Sequence, residues 1–257
     1  MPPPTFLDLP TRQPKPRSRG LTHVLDKGLG LVATQDHLDT AAELMDIVKV
    51  GWGIGYIDPR LRARVGAYRE AGVLVSLGGT LLEIAAAQGR IDELRDWALT
   101  IGITALEVSN GLGALDSRRK QELIRTLSQD FVVTAEVGSK DAATPVVASE
   151  WLAEMESDLQ TGARWVIAEG RESGTVGIYQ DDGAVRDDLI DTLTSRIPVD
   201  RIIFEAPHKA QQAWFVRTIG PEVNLGNIPA EEVLPLETLR LGLRADSAAV
   251  TRLATLT

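Results

Sequence analysis

The sequence predicts a (β/α)8 TIM barrel of the α/β class, and two observations lead to this prediction. Eight short apolar runs of strand length follow one another along the 257 residues, with amphipathic helical segments between them. No change in composition divides the chain, and no GxGxxG follows the first strand, which disfavours the competing doubly wound open sheet. We therefore expect residues 1–20 to form a basic, Pro-rich arm and residues 21–257 to form one barrel domain.

The elements can be placed in order along the chain. Strands are expected at 22–27, 47–53, 73–79, 105–109, 131–137, 165–171, 201–206 and 222–228, and helices at 41–45, 61–70, 82–101, 117–127, 151–161, 187–196, 211–219 and 230–242. Local sequence signals indicate where several of these helices begin or end. Asp39 or Thr40 could cap the first helix, Pro59 precedes the second, Ser117 is a candidate N-cap, and Gly162 is a candidate C-terminal glycine.

Composition narrows the function classes. The net charge of -9 disfavours a general nucleic-acid binder, and the absence of cysteine removes disulfides, thiolate metal sites and a cysteine nucleophile. Three histidines are too few for a His-rich zinc site. The first residues lack the pattern of a signal peptide, and no apolar run is long enough to span a bilayer. We expect a cytoplasmic protein without a membrane partner.

Charged residues gather where the predicted strands end. In residues 165–174, WVIAEGRESG, an apolar strand runs directly into Glu169, Arg171 and Glu172. Catalytic groups of TIM barrels lie at these C-terminal strand ends. Four successive strands each supply a glutamate there, namely Glu107, Glu136, Glu169 and Glu205. Carboxylates on neighbouring strands need a cation or a proton, and oxygen ligands without Cys or clustered His suit Mg²⁺. A structural ion network with the nearby cations is the alternative.

Positive charge lies along the same rim, at Lys27, Lys49, Lys140, Arg171 and Lys209. Carboxylates mixed with cations suit a small polyanion held with a divalent metal. The loops after the last two strands, which often bind phosphate in such barrels, contain His208, Lys209 and Asn224. The five tryptophans, at positions 52, 97, 151, 165 and 214, are expected to be core or helix-packing residues. The cations of the arm either belong to a flexible tail or reach an anionic ligand or a neighbouring subunit.

These motifs together resemble the phosphosulfolactate synthase family of coenzyme M biosynthesis. The resemblance covers nearly the whole chain, and it is carried by Asp26-Lys27-Gly28-Leu29, Lys49-Val50-Gly51-Trp52-Gly53, Gly78-Gly79-Thr80-Leu81, Glu107-Val108-Ser109, Glu136-Val137-Gly138, Glu169-Gly170-Arg171-Glu172-Ser173-Gly174, Phe204-Glu205-Ala206-Pro207 and Val223-Asn224-Leu225. It implies a homo-oligomeric barrel that adds sulfite to phosphoenolpyruvate with Mg²⁺, giving 2-phospho-3-sulfolactate.

The resemblance also assigns roles. Lys140 matches the lysine that protonates C2, and Arg171, Lys209 and Arg17 would hold phosphate or sulfite oxygens. The full predicted site has three parts: catalytic Lys140, Lys49 and Arg171; substrate-binding Arg17, Lys27, Ser109, His208, Lys209 and Asn224; and metal-binding Glu107, Glu136, Glu169 and Glu205.

Five positions depart from the family pattern. Ile54 and Gly55 replace two hydroxyl residues, Ser139 replaces a lysine, Asn110 an aspartate and His208 a glutamine. Three other functions therefore stay open. The first is addition of another nucleophile to phosphoenolpyruvate or a similar acid, which predicts that residues 54, 55, 139 and 208 line the pocket. The second is a non-catalytic stress-associated protein on the same barrel. The third is a Schiff-base aldolase.

Overall fold

The chain folds into a closed barrel of eight parallel strands, seen in a computed structural model that describes residues 4–113, 115–138 and 145–251. The strands are β1 (Thr22–Asp26), β2 (Ile47–Val50), β3 (Leu74–Leu77), β4 (Ala105–Val108), β5 (Val132–Val137), β6 (Trp165–Ala168), β7 (Ile202–Glu205) and β8 (Asn224–Pro229). Each strand pairs with the next, and β8 closes onto β1. The predicted fold class is confirmed, and each predicted strand position contains a strand.

The helices surround the barrel. They are α1 (Leu31–Ala41), α2 (Ile54–Ile57), α3 (Leu61–Glu70), α4 (Gly79–Ala87), α5 (Ile91–Ile101), α6 (Ser117–Leu127), α7 (Ala148–Thr161), α8 (Asp187–Thr194), α9 (Lys209–Thr218) and α10 (Val233–Arg240). The predicted helices at 61–70 and 117–127 are confirmed at both ends. The predicted helix at 82–101 is two helices, because the chain turns at Gly89 with a φ of 67° that favours glycine.

The first helix and the N-cap residue of α6 differ from the prediction. The first helix begins at Leu31, and the predicted segment 41–45 is mostly a 3₁₀ turn, Ala42–Leu44, that follows it. Exposed Val32 interrupts the amphipathic pattern in the first turn of α1 and conceals its start. Helix α6 is capped by Asp116, whose carboxylate accepts from the Arg119 N–H at 2.7 Å, and not by Ser117.

The barrel interior changes character along its axis. Its N-terminal end is filled by an apolar cluster that includes Leu21, Ile47, Trp165 and Ile203. Above this cluster lie the buried polar side chains of His23, Ser76 and Thr134. They share the inner face with the residues two positions later, Leu25, Gly78 and Glu136. The inner face is therefore apolar at the bottom, polar in the middle and charged at the top.

The N-terminal arm packs under the N-terminal end of the barrel. Arg12 pairs with Glu237 at 3.0 Å, and Arg17 pairs at 3.1 Å with Asp46, which directly precedes β2. The ammonium of Lys15 donates to the carbonyl of Ala42 at 2.9 Å. These cations of the arm thus bind acceptors of their own chain. Among the described residues, no helix has the length and the apolar character that crossing a membrane requires.

Candidate active site

A cavity of about 170 Å³ opens at the C-terminal end of the strands. Such a volume suits a ligand much smaller than the drug-sized molecules that fill pockets of roughly 300–1,000 Å³. Six of the predicted residues line it together, namely Lys49, Glu107, Glu136, Glu169, Arg171 and Glu205. The strands bring these residues together because each one lies on an inward-facing position at or just beyond the end of its strand.

Lys49 is the central cation of this cavity. Its ammonium lies 2.8 Å from Oε2 of Glu107 and 3.2 Å from Oε1 of Glu205, and all three side chains are buried. Burial alone would lower the pKa of Lys49, but the surrounding glutamates raise it by more, so its pKa lies above the ordinary lysine value. Lys49 therefore stays charged at neutral pH and serves as a fixed positive charge, since it cannot readily release a proton.

The backbone holds the two glutamates that contact Lys49. The second oxygen of Glu107 accepts from the Gly79 N–H at 2.9 Å. The second oxygen of Glu205 accepts from the N–H groups of Gly170 and Arg171 at 3.0 and 2.8 Å. Every carboxylate oxygen of this pair is thus engaged inside the protein. We interpret Glu107 and Glu205 as the anchors of Lys49.

Glu136 and Glu169 form the more acidic side of the cavity. Burial, and then the charge of Glu169, raises the pKa of Glu136 well above the ordinary value. Arg171 approaches Glu169 at only 3.7 Å. In the described ranges, no three carboxylate or imidazole side chains converge as a ready-made metal site. A pair of carboxylates nevertheless fits Mg²⁺, which usually keeps several waters and binds one or two carboxylates plus the substrate.

Three predicted residues lie near the cavity without lining it. Lys27 is exposed beyond β1. The His208 ring bonds the Ser173 carbonyl at 2.9 Å, and Lys209 pairs with Asp246 at 2.6 Å. The N-terminus of α9, where a phosphate site was expected, thus engages other parts of the chain.

Three other predicted residues lie elsewhere. Ser109 is buried behind the cavity, where its hydroxyl donates to Glu83. Asn224 is the first residue of β8, so it lies at the opposite end of the strand from the cavity, and its amide bonds the backbone of Leu21 and Ile202. Arg17 lies under the same N-terminal end. This corrects the expected placement of Asn224 and Arg17 beside the substrate. Lys140 lies outside the described residues.

The departures from the family pattern do not line the cavity where the structure describes them. Ile54 and Gly55 belong to α2, and Gly55 packs against Leu77 and Leu61. The Asn110 side chain accepts from and donates to the backbone of Leu115, within one loop. His208 caps α9, and Ser139 lies outside the described residues. The expectation that the departures line the pocket, which the hypothesis of a different nucleophile makes, is therefore not met at positions 54, 55 and 208.

The structure adds cavity residues that the sequence prediction missed. Trp52, Leu112 and Asn227 all line the cavity, whereas the other four tryptophans pack in or against the core as expected. The bracketing glycines of Gly51-Trp52-Gly53 at a strand end are the signal that could have identified Trp52. In the described part of the chain, the non-glycine residues with positive φ are Trp52, Arg171 and Asn227, and all three line this cavity.

These features define a (β/α)8-barrel enzyme with a buried cation at the centre of an acidic mouth. The family model described as (2R)-phospho-3-sulfolactate synthase (ComA) matches residues 10–246. Phosphosulfolactate synthase of Methanothermobacter thermautotrophicus is 41% identical over 244 residues, which cover 93% of this chain and 95% of that protein. The Bacillus subtilis protein of the same name is 39% identical, covering 94% and 97%. The chain belongs to the phosphosulfolactate synthase family and is an enzyme of this type.

Solved structures agree on the fold alone. The 3-hexulose-6-phosphate synthase of Salmonella typhimurium superposes with a TM-score of 0.52 at 18% identity, covering 90% of this chain and 95% of that one. A thiamine phosphate pyrophosphorylase from Pyrococcus furiosus gives a TM-score of 0.52 at 11% identity, covering 86% and 96%.

Proposed function

We propose that the enzyme makes 2-phospho-3-sulfolactate by adding sulfite to phosphoenolpyruvate. The observation that carries the proposal is the buried Lys49 ammonium, fixed between Glu107 and Glu205 at the centre of a small cavity. A fixed charge in a site shielded from water stabilises a developing anion more strongly than one in water does.

The chemistry follows from where negative charge develops. The sulfur lone pair of sulfite forms a bond to C3, and the π electrons of the double bond move toward C2 and the carboxylate. Lys49 and Arg171 would compensate the growing carboxylate charge, because both line the cavity. A proton then adds to C2, and the product carries both the sulfonate and the phosphate.

Lys140 is the proposed donor of that proton, on the basis of the family resemblance. It follows the end of β5, the strand that carries Glu136 into the cavity. We propose that Glu136 and Glu169 would hold Mg²⁺. The bound metal would supply a Lewis acid that stabilises the enolate charge. The geometry supports this assignment, because Glu136 and Glu169 line the same cavity and the charge of Glu169, after burial, raises the pKa of Glu136.

The proposal can be tested by ³¹P NMR of the protein with Mg²⁺, phosphoenolpyruvate and sulfite. We expect a new phosphomonoester signal that requires sulfite and is lost in Lys140→Ala. Lys15→Ala, which replaces a lysine of the arm at the opposite end of the barrel, serves as the matched control and should keep the signal. Consumption of phosphoenolpyruvate without sulfite would indicate another nucleophile. No turnover and no Mg²⁺-dependent binding of phosphoenolpyruvate would favour the non-catalytic alternative.

Two further properties belong to the proposal. The homo-oligomer that the resemblance implies is supported by exposed apolar side chains on α2, Tyr56 and Ile57. Sedimentation analysis would contradict it if the protein were monomeric at micromolar concentration. A cytoplasmic location stays a prediction, which fractionation of the source cells would check.

A further inference from the structure

The backbone of Trp52 has a conformation that bulky residues rarely adopt. Its φ is 51°, in the left-handed region, although Gly51 and Gly53 stand on either side of it. A left-handed conformation costs an L-residue free energy that glycine avoids, so a tryptophan here requires a compensating reason. Such outliers cluster at functional sites, and Trp52 lines the central cavity.

The neighbouring strands enforce this conformation. Gly51 donates to the carbonyl of Asp26 at 3.0 Å, and the turn closes with a bond from Ile54 N–H to Gly51 at 3.1 Å. On the other side, a Cβ at Gly78 would come within 2.9 Å of the Trp52 nitrogen. The turn is thus held between the ends of β1 and β3, and it keeps the indole at the rim, where the residue is 41% exposed.

The rim around Trp52 differs from the rest of the cavity. Leu112, 54% exposed, is a second apolar residue there, and its N–H donates to Glu83 at 2.7 Å, which holds its loop against α4. Most other lining side chains are polar or charged. The ionic groups of a small polyanion gain nothing from contact with exposed apolar side chains. A methylene carbon of the same ligand, in contrast, packs favourably against them.

We propose that Trp52 is a specificity-determining residue whose indole covers the carbon that receives the nucleophile and keeps water away from it. This inference rests on the proposed function. Sulfite forms an S–C3 bond, the π pair moves toward C2, and a proton adds at C2. Water would form a C–O bond at the same carbon, and its oxygen would release one proton while C2 gains one. The indole takes no part in either bond, so its effect is to select sulfite over water.

Binding is tested first, by acrylamide quenching of tryptophan fluorescence with and without phosphoenolpyruvate and Mg²⁺. We expect the ligand to protect the wild-type protein from quenching. Trp52→Phe should lose this protection, and Trp214→Phe, which replaces a tryptophan that packs against the core on α9, should retain it. Equal protection in Trp52→Phe and wild type, or none in the wild type, would overturn the inference.

Selection is tested by the product ratio in ³¹P NMR. We expect Trp52→Phe to keep the sulfite adduct and Trp52→Ala to lower kcat/KM for sulfite about 10-fold or more, with the water adduct appearing. A merely structural role would lower total turnover without changing the ratio of the two products, and that outcome would refute the inference. If the wild type forms no sulfite adduct while Trp52 is protected by phosphoenolpyruvate, the proposed function fails and the binding role of Trp52 stands.

Discussion

Replacing Lys49 by methionine should remove activity and destabilise the barrel together. The ammonium lies 2.8 and 3.2 Å from two carboxylates, which at an effective dielectric constant of about 20 corresponds to gross attractions of about 6 and 5 kcal/mol. The cost of burying these charges offsets much of that attraction. Removal of one partner from a buried pair typically costs about 3–5 kcal/mol, because the other charge remains without compensation.

We therefore expect Lys49→Met to lower the free energy of unfolding by about 3–5 kcal/mol near pH 8. The loss should be smaller near pH 5, because Glu136, whose pKa is raised by burial and by the charge of Glu169, is then neutral and no longer depends on the charge of Lys49. Turnover should fall by about 10²–10³-fold or more, since a fixed charge facing the developing anion is lost. Urea unfolding at both pH values and the ³¹P assay at a temperature where the variant is folded would measure these effects.

Arg17→Met is the matched control for this experiment. Arg17 forms a buried ion pair with Asp46 at 3.1 Å, at the other end of the barrel. It should therefore lower stability, by an amount of the same order, and leave kcat and the KM for phosphoenolpyruvate unchanged. Lys49→Met with full turnover, or Arg17→Met with an equal loss of turnover, would refute the reasoning.

Three other predictions follow from the site and its surroundings. Mg²⁺ should raise the melting temperature of the wild type, and Glu136→Gln should remove this increment while Glu172→Gln, at the rim, keeps it; an equal increment in all three proteins would contradict the metal assignment. Burial, and then the charge of Lys49, holds the pKa of His23 well below 6.5, so the unfolded chain binds a proton below pH 6.5 that the folded chain does not. Stability should accordingly fall below pH 6.5 by up to about 1.4 kcal/mol per pH unit from this residue; His23→Leu should reduce the slope and His37→Gln should leave it unchanged, as equilibrium unfolding against pH would show. Trp52→Gly should be more stable than Trp52→Ala by about 1 kcal/mol, because glycine relieves the left-handed backbone; the opposite order in urea unfolding would remove the strain argument.

The fold was predictable because its signal is repeated. Most strands are short apolar runs that lead into charged residues or glycine, and eight such runs with helices between them match few architectures. The errors in the predicted helices arise where a boundary depends on one or two residues and not on a repeated pattern. The division of the predicted helix at 82–101 depends on a single residue, Gly89. Ser117 and Asp116 are equally good N-cap candidates by residue type, and only the structure shows that the Asp116 side chain accepts the capping bond.

The site was predictable where strand alternation decides the direction of a side chain. The site was not predictable where the location of a side chain depends on which residue begins the strand. Asn224 has the character of a strand-end residue, yet β8 begins there, so its amide serves the barrel floor. Lys209 is at a helix N-terminus, where a phosphate site is reasonable, but its partner Asp246 comes from the far end of the chain. No local sequence pattern predicts the contact between Lys209 and Asp246.

The four glutamates of the mouth show why residue type alone does not define a metal site. Sequence reasoning treats them as equivalent, since each lies at or close to the C-terminal end of its strand. The structure distinguishes the four glutamates by the groups that contact their carboxylate oxygens. Backbone N–H groups and Lys49 contact every carboxylate oxygen of Glu107 and Glu205. Among the described residues, Glu136 accepts no such set of bonds, and burial and then the charge of Glu169 raise its pKa. A substitution of Glu205 should therefore act through the position of Lys49, and a substitution of Glu136 through the binding of a cation.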